Sequence, residues 1–123
     1  MEKLLHSEIT SETIGAGCEV WRVLGYGFLE KVYENALVAE LRRRGLNVQQ
    51  QVAIDVIYKS EVVGQYIADL VVNNAVLIEL NAEKELQFQH EAQLLNYFKA
   101  TNLRVGMLMN FGQASCKWKR LVF

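Results

Sequence analysis

Three side chains near the middle of the chain are of types, and at spacings, that could do chemistry together. Asp69 and Glu79 each interrupt an apolar, β-branched run, and Asn81 follows two positions after Glu79. The two runs flank Asn73-Asn74, the signal of a β-hairpin turn. Side chains alternate faces along a strand, so loop length decides whether the acids meet. A two-residue loop, Asn73-Asn74, pairs Asp69 with Ile78 and turns Glu79 away. A three-residue loop, Asn73-Asn74-Ala75, sets Asp69 directly opposite Glu79, with Asn81 on the same face. We read the three-residue loop. Like charges facing each other across a strand pair repel, so this arrangement calls for a cation between them.

The elements that must hold this hairpin follow from periodicity. Ile9, Thr13, Gly17, Val20, Trp21 and Leu24 recur at helical spacing, so a helix is expected from Ser7, as its N-cap, to Leu24. Gly15 and Gly17 weaken it by about 1 kcal/mol each relative to alanine but allow another element to pack closely. Gly25-Tyr26-Gly27 breaks it. A second helix is expected over Phe28–Arg44, burying Leu29, Val32, Tyr33, Ala36, Leu37 and Leu41, with Gly45 as its stop. From Asn47 the period becomes two, with Val48, Gln50, Val52, Ile54, Val56 and Tyr58 on one face. Lys59-Ser60-Glu61 turns into a strand Val62–Val72, followed by Val76–Leu80. Helical spacing returns at Leu86, His90, Gln93, Leu94, Tyr97, Phe98 and Thr101. Arg104–Phe111 reads as a central apolar strand, and Lys117–Phe123 as a short last one. The order ααβββαββ predicts one α+β domain over residues 1–123, a mixed β-sheet core flanked by helices. The helix before the fourth strand permits strands three and four to run parallel.

Composition excludes several classes. The 123 residues, 51% hydrophobic and 22% charged, suit one globular core. No run approaches the ~18 apolar residues of a membrane helix, and Met1-Glu2-Lys3-Leu4-Leu5-His6 is too polar for a signal peptide. A cytoplasmic protein without membrane attachment is expected. Cys18 and Cys116 have no metal-type spacing and read as reduced thiols. A net charge of -1 gives no general pull toward nucleic acid. Phosphate contacts would have to come from Arg42-Arg43-Arg44 with Lys117, Lys119 and Arg120, beside which Trp118 could stack on a base.

Four features stand in a telling order: Glu30 on a helix, Asp69 in a strand, Glu79-Leu80-Asn81 in the next, and Gln93-Leu94-Leu95-Asn96-Tyr97 on the following helix. This set resembles the PD-(D/E)xK nuclease superfamily, in the RecB-like branch with its QxxxY helix. Gly27-Phe28-Leu29-Glu30-Lys31-Val32-Tyr33 is similar to the signature of the small GxxExxY family. The resemblance runs from about Ile14 to the C-terminus and includes Gly106 through Asn110-Phe111. It implies a restriction-endonuclease-like fold and a hydrolase acting on phosphodiesters of DNA or RNA with Mg²⁺ or Mn²⁺. It further implies Asp69 and Glu79 as metal ligands, Glu30 as an outer ligand, and Gln93 and Tyr97 as groups that orient substrate. Hard oxygen donors suit such ions. A homo-oligomer fits a chain of this size that must cover a polymer.

The chain departs from the pattern where the pattern matters most. The motif lysine is replaced by Asn81, which can hydrogen-bond or ligate through its carbonyl but carries no charge. Losing a positioned charge-stabilising donor costs roughly 10²–10³ in rate. Lys84 lies three residues on, past the strand end. Ile67 and Trp21 stand where the family places an arginine-type residue and a histidine. The sequence therefore admits a slow nuclease, or an inactive nuclease-fold protein that binds nucleic acid or another protein.

Overall fold

In the computed structural model the described residues are 5–82, 94–95, 98–112 and 116–122. They form α1 (Ser7–Leu24), α2 (Glu30–Arg43), β1 (Val48–Tyr58), β2 (Glu61–Val72), β3 (Val76–Asn81), β4 (Val105–Asn110) and β5 (Lys117–Val122). The five strands make one sheet in sequence order, with β3 and β4 parallel and the other neighbours antiparallel. This is the expected α+β architecture. The parallel step requires a crossover, and within it Leu94, Leu95 and Phe98 are helical. The expected third helix runs to Thr101, but Lys99, Ala100 and Thr101 form a turn and bend. The remainder of it lies outside the described residues, as do His90, Gln93, Tyr97 and Lys84. Among the described residues no helix is long and apolar enough to cross a membrane.

The hairpin adopts the three-residue loop. Val72 pairs with Val76, Val71 with Leu77 and Leu70 with Ile78. Asn73 and Asn74 both take left-handed backbone conformations, φ 50° and 52°, which asparagine tolerates better than most residues with a Cβ. The Ala75 N–H closes the turn onto the Val72 carbonyl at 2.9 Å. Asn73 Oδ1 also accepts the Asn47 N–H at 2.8 Å, tying the turn to the start of β1.

Two apolar clusters sandwich the sheet. On one side α1 and α2 cover Val76, Ile78 and Leu80 of β3 and Val105, Met107 and Met109 of β4. On the other, Leu94 and Phe98 pack with Leu77, Leu108 and Leu121. Gly17 lets α1 lie close to β4, since a Cβ there would collide with Met109 Cε.

Three local expectations are corrected. Ser7 is the first helical residue of α1, while the cap position belongs to His6, left-handed at φ 53° and without a side-chain cap. On α2 the buried stripe is Tyr33, Glu34, Leu37, Val38 and Leu41, and Leu29 is 79% exposed. Tyr33 sets that rotation. Its hydroxyl donates to the Gly25 carbonyl at 2.6 Å and accepts the Phe28 N–H, and its ring stacks on Phe111 at 4.8 Å. Along β1 the even residues are the more buried set as far as Val56, yet Val48 joins the helix-side cluster while Val52 and Ile54 join the opposite one. Leu70 and Ala68 of β2 divide in the same way. The switch falls at Gln51 and Asp69, which the ladder skips between Gln50–Leu70 and Val52–Ala68. Gln51 has φ 56°, a conformation unusual enough for a residue with a side chain to mark strain.

Candidate active site at the fork between β2 and β3

The β2–β3 ladder ends at Leu70–Ile78. One step further Asp69 stands opposite Glu79, and two carboxylates replace the ladder hydrogen bonds. Glu79 Oε1 accepts the Asp69 N–H at 3.2 Å, and Asp69 Oδ2 accepts the Leu80 N–H at 2.8 Å. Each acid thus caps the backbone of the other strand. The strands separate here because a side chain, not a carbonyl, fills each gap, and among the described residues neither acid forms an ion pair. Asp69 and Glu79 are half-buried.

The electrostatics follow from this placement. Burial, reinforced by the neighbouring Asp69 charge, pushes Glu79 up to about 8, although a hydrogen bond from Tyr66 works the other way. Burial likewise holds Asp69 above the usual carboxylate range, with the Leu80 N–H opposing it and the Glu34 charge adding to it. Burial and a neighbouring carboxylate's charge thus both oppose ionisation of each acid of the pair. Once ionised, such hard oxygens suit Mg²⁺ or Mn²⁺. Among the described residues, however, no three His, Cys, Asp or Glu side chains converge closely enough to hold a metal by themselves.

The helix acid bonded into this region is Glu34, which the sequence reading missed. It is 3% exposed, and it accepts hydrogen bonds from Lys31 Nζ at 2.8 Å, Gln51 Nε2 at 2.9 Å and Gln50 Nε2. Burial works to raise its pKa, but these donors prevail and bring it below the ordinary value. Gln51 Nε2 also reaches Asp69 Oδ1 at 3.4 Å, so one amide bridges the helix acid and the strand acid. Glu30 lies one turn earlier on α2, exposed in its first turn. The signal for Glu34 was present: it falls one residue after Tyr33 and three before Leu37, inside the apolar stripe.

Asn81 is 7% exposed, and its Oδ1 has no hydrogen-bond partner among the described residues. Beside it on β4 lies Asn110, in parallel register with Asn81 and fully buried. Asn110 Oδ1 accepts the Gly112 N–H at 2.9 Å, which leaves its Nδ2 unpartnered. The basic run is largely committed elsewhere. Arg44 pairs with Glu12 and Glu40, and Arg42 donates to the Val48 carbonyl. Lys117, Trp118 and Lys119 are exposed along β5.

No curated protein matches the sequence. The protein SSO0001, known from a crystal structure, superposes with a TM-score of 0.61 at 15% identity, covering 75% of this chain and 48% of that one. This chain thus spans about half the length of SSO0001, and the likeness is one of fold. A family model described as the PD-(D/E)XK nuclease superfamily matches residues 7–121. That span takes in α1, α2, β1–β4, β5 up to its last residue and the fork with its two acids, and the chain belongs to the PD-(D/E)XK nuclease superfamily.

Proposed function

We propose that the protein is a divalent-metal-dependent nuclease hydrolysing phosphodiesters of DNA or RNA, slowed by the replacement of the motif lysine with Asn81. The observation that carries this reading is the reciprocal capping at the fork, which anchors Asp69 and Glu79 as a facing pair. Asp69 and Glu79 hold Mg²⁺ or Mn²⁺. When bound, such an ion activates water and stabilises charge on the phosphate. Glu79 must release its proton to ligate, so metal affinity rises with pH toward about 8. Glu34 orients Asp69 through Gln51, and Glu30, one turn away, serves as an outer ligand. Gln93 and Tyr97 orient substrate. Gly27, Glu30 and Tyr33 support membership of the GxxExxY group, and Gln93 with Tyr97 the RecB-like branch. Gly27 at φ 110° and the Tyr33 hydroxyl shape the loop that starts α2.

One observation favours a second reading, an inactive nuclease-fold binding module. Beyond Asp69 the β1–β2 ribbon exposes Ile57, Tyr58, Val62, Val63 and Ile67, a surface suited to a partner. Cleavage of labelled single-stranded DNA, duplex DNA and RNA with Mg²⁺ or Mn²⁺ separates the two. Wild-type cleavage that disappears in Glu79→Ala establishes the nuclease. A gain of roughly 10²–10³ in Asn81→Lys identifies the missing charge as what slows it. Silence from wild type, Glu79→Ala and Asn81→Lys alike would leave the binding module.

A further inference from the structure

Two buried amides beside the acid pair each carry one buried polar atom without a partner among the described residues. Asn81 shares its strand face with Glu79, two residues away, and its Oδ1 is a buried acceptor without a donor among the described residues. Its β4 neighbour Asn110 presents a buried donor, Nδ2, without an acceptor. The orientation of Asn110 is settled by the Gly112 N–H, which needs an oxygen. An unsatisfied buried polar group costs about 1–3 kcal/mol, and two in register call for an explanation such as a bound ion or water. They do not satisfy each other, although they sit side by side on paired strands.

Resting on the reading above, we propose that Asn81 Oδ1 is the third protein ligand of the divalent cation held by Asp69 and Glu79. Asn110 Nδ2 donates to one of the waters that such an ion retains. This gives the position that lost its lysine a binding role in place of a charge. It also accounts for the convergence of only two carboxylates at the fork. A neutral amide oxygen is a weaker ligand than a carboxylate but shares its hardness, so the site binds metal less tightly than a three-carboxylate site would.

The test is a Mn²⁺ titration of the full chain at pH 8, free Mn²⁺ being read by electron paramagnetic resonance. No cleavage is required. Wild type should bind one Mn²⁺, and Glu79→Ala should not. Asn81→Leu, close in shape but without the oxygen, should weaken binding about tenfold. Asn81→Asp, which supplies an anionic oxygen at the same place, should tighten it by a similar factor. A tightened Asn81→Asp supports the proposal even if Asn81→Leu fails to fold. Wild-type affinity in Asn81→Asp, or in a folded Asn81→Leu, overturns the proposal while leaving the Asp69–Glu79 site standing. Absence of Mn²⁺ binding by wild type overturns both.

Discussion

Glu34 and Glu79 are two carboxylates in one region of the molecule with opposite fates. Glu34 is the more deeply buried, at 3% exposure, yet its pKa is lowered. Glu79 is only half-buried, yet it is pushed up to about 8. The difference lies in the donors each one meets. Glu34 receives an ammonium and two amide groups across α2 and β1. Glu79 faces another acid, with one backbone N–H and the Tyr66 phenol for relief. Burial alone does not decide the charge of a group; the company it keeps does. The α2 acid has its donors in place, whereas the fork acid faces a like charge.

The comparison breaks most visibly if Glu34 is removed. Glu34→Leu takes the shared acceptor from the Gln50 and Gln51 amides and the Lys31 ammonium, and should cost about 2–3 kcal/mol in urea unfolding at pH 7. A cost below ~0.5 kcal/mol would mean that the donors find other partners.

Glu79→Gln should do the reverse and stabilise the metal-free protein at pH 8.5, by something on the order of 2 kcal/mol after allowance for solvent access. The pH dependence carries the sign. Between about 4.5, the ordinary value, and about 8, native Glu79 keeps a proton that the unfolded chain has released. Stability of the metal-free protein should therefore fall as pH rises through that window. Glu79→Gln or saturating Mn²⁺ should flatten this limb. Glu34 has a lowered pKa, so its contribution is present above the ordinary value and is lost as pH falls through the native one. Glu34→Gln should flatten only the acid limb. Unfolding curves across pH 3–9 in wild type and both variants check the two limbs separately.

The smallest effect should come from the amide that joins the two regions. Gln51→Leu keeps the side-chain bulk but removes the donor shared by Glu34 and Asp69. A loss of about 1 kcal/mol is expected at pH 7, read by thermal unfolding. No change would mean that Gln51 is held at φ 56° by backbone packing alone.

Much of the site was legible because it is local. Asp69, Glu79 and Asn81 lie on one short hairpin, and a single loop length places them. Asn73-Asn74 carries the conformational signal for that loop, and the register follows from it. The choice between Glu30 and Glu34 was not legible in the same way. They lie one turn apart on the same helix face, and the apolar residues of α2 allow two rotations of the stripe. Leu29 and Val32 suggested one. The tertiary contacts of Tyr33 with Gly25 and Phe111 impose the other, and Glu34 goes inward where Gln50 and Gln51 wait.

Periodicity, turn chemistry and motif order thus determined from the sequence alone the ααβ-first layout and the facing acids, because each depends on neighbours within one element or one turn. The parallel β3–β4 step was only permitted by the sequence. Only the tertiary structure decided the burial of Glu34, the reversal of the ribbon at Gln51 and the alignment of Asn81 with Asn110. Those depend on how β1 meets α2 and on where β4 lands after its crossover. Such contacts join residues far apart in the chain, and side-chain fit across the assembled core selects them.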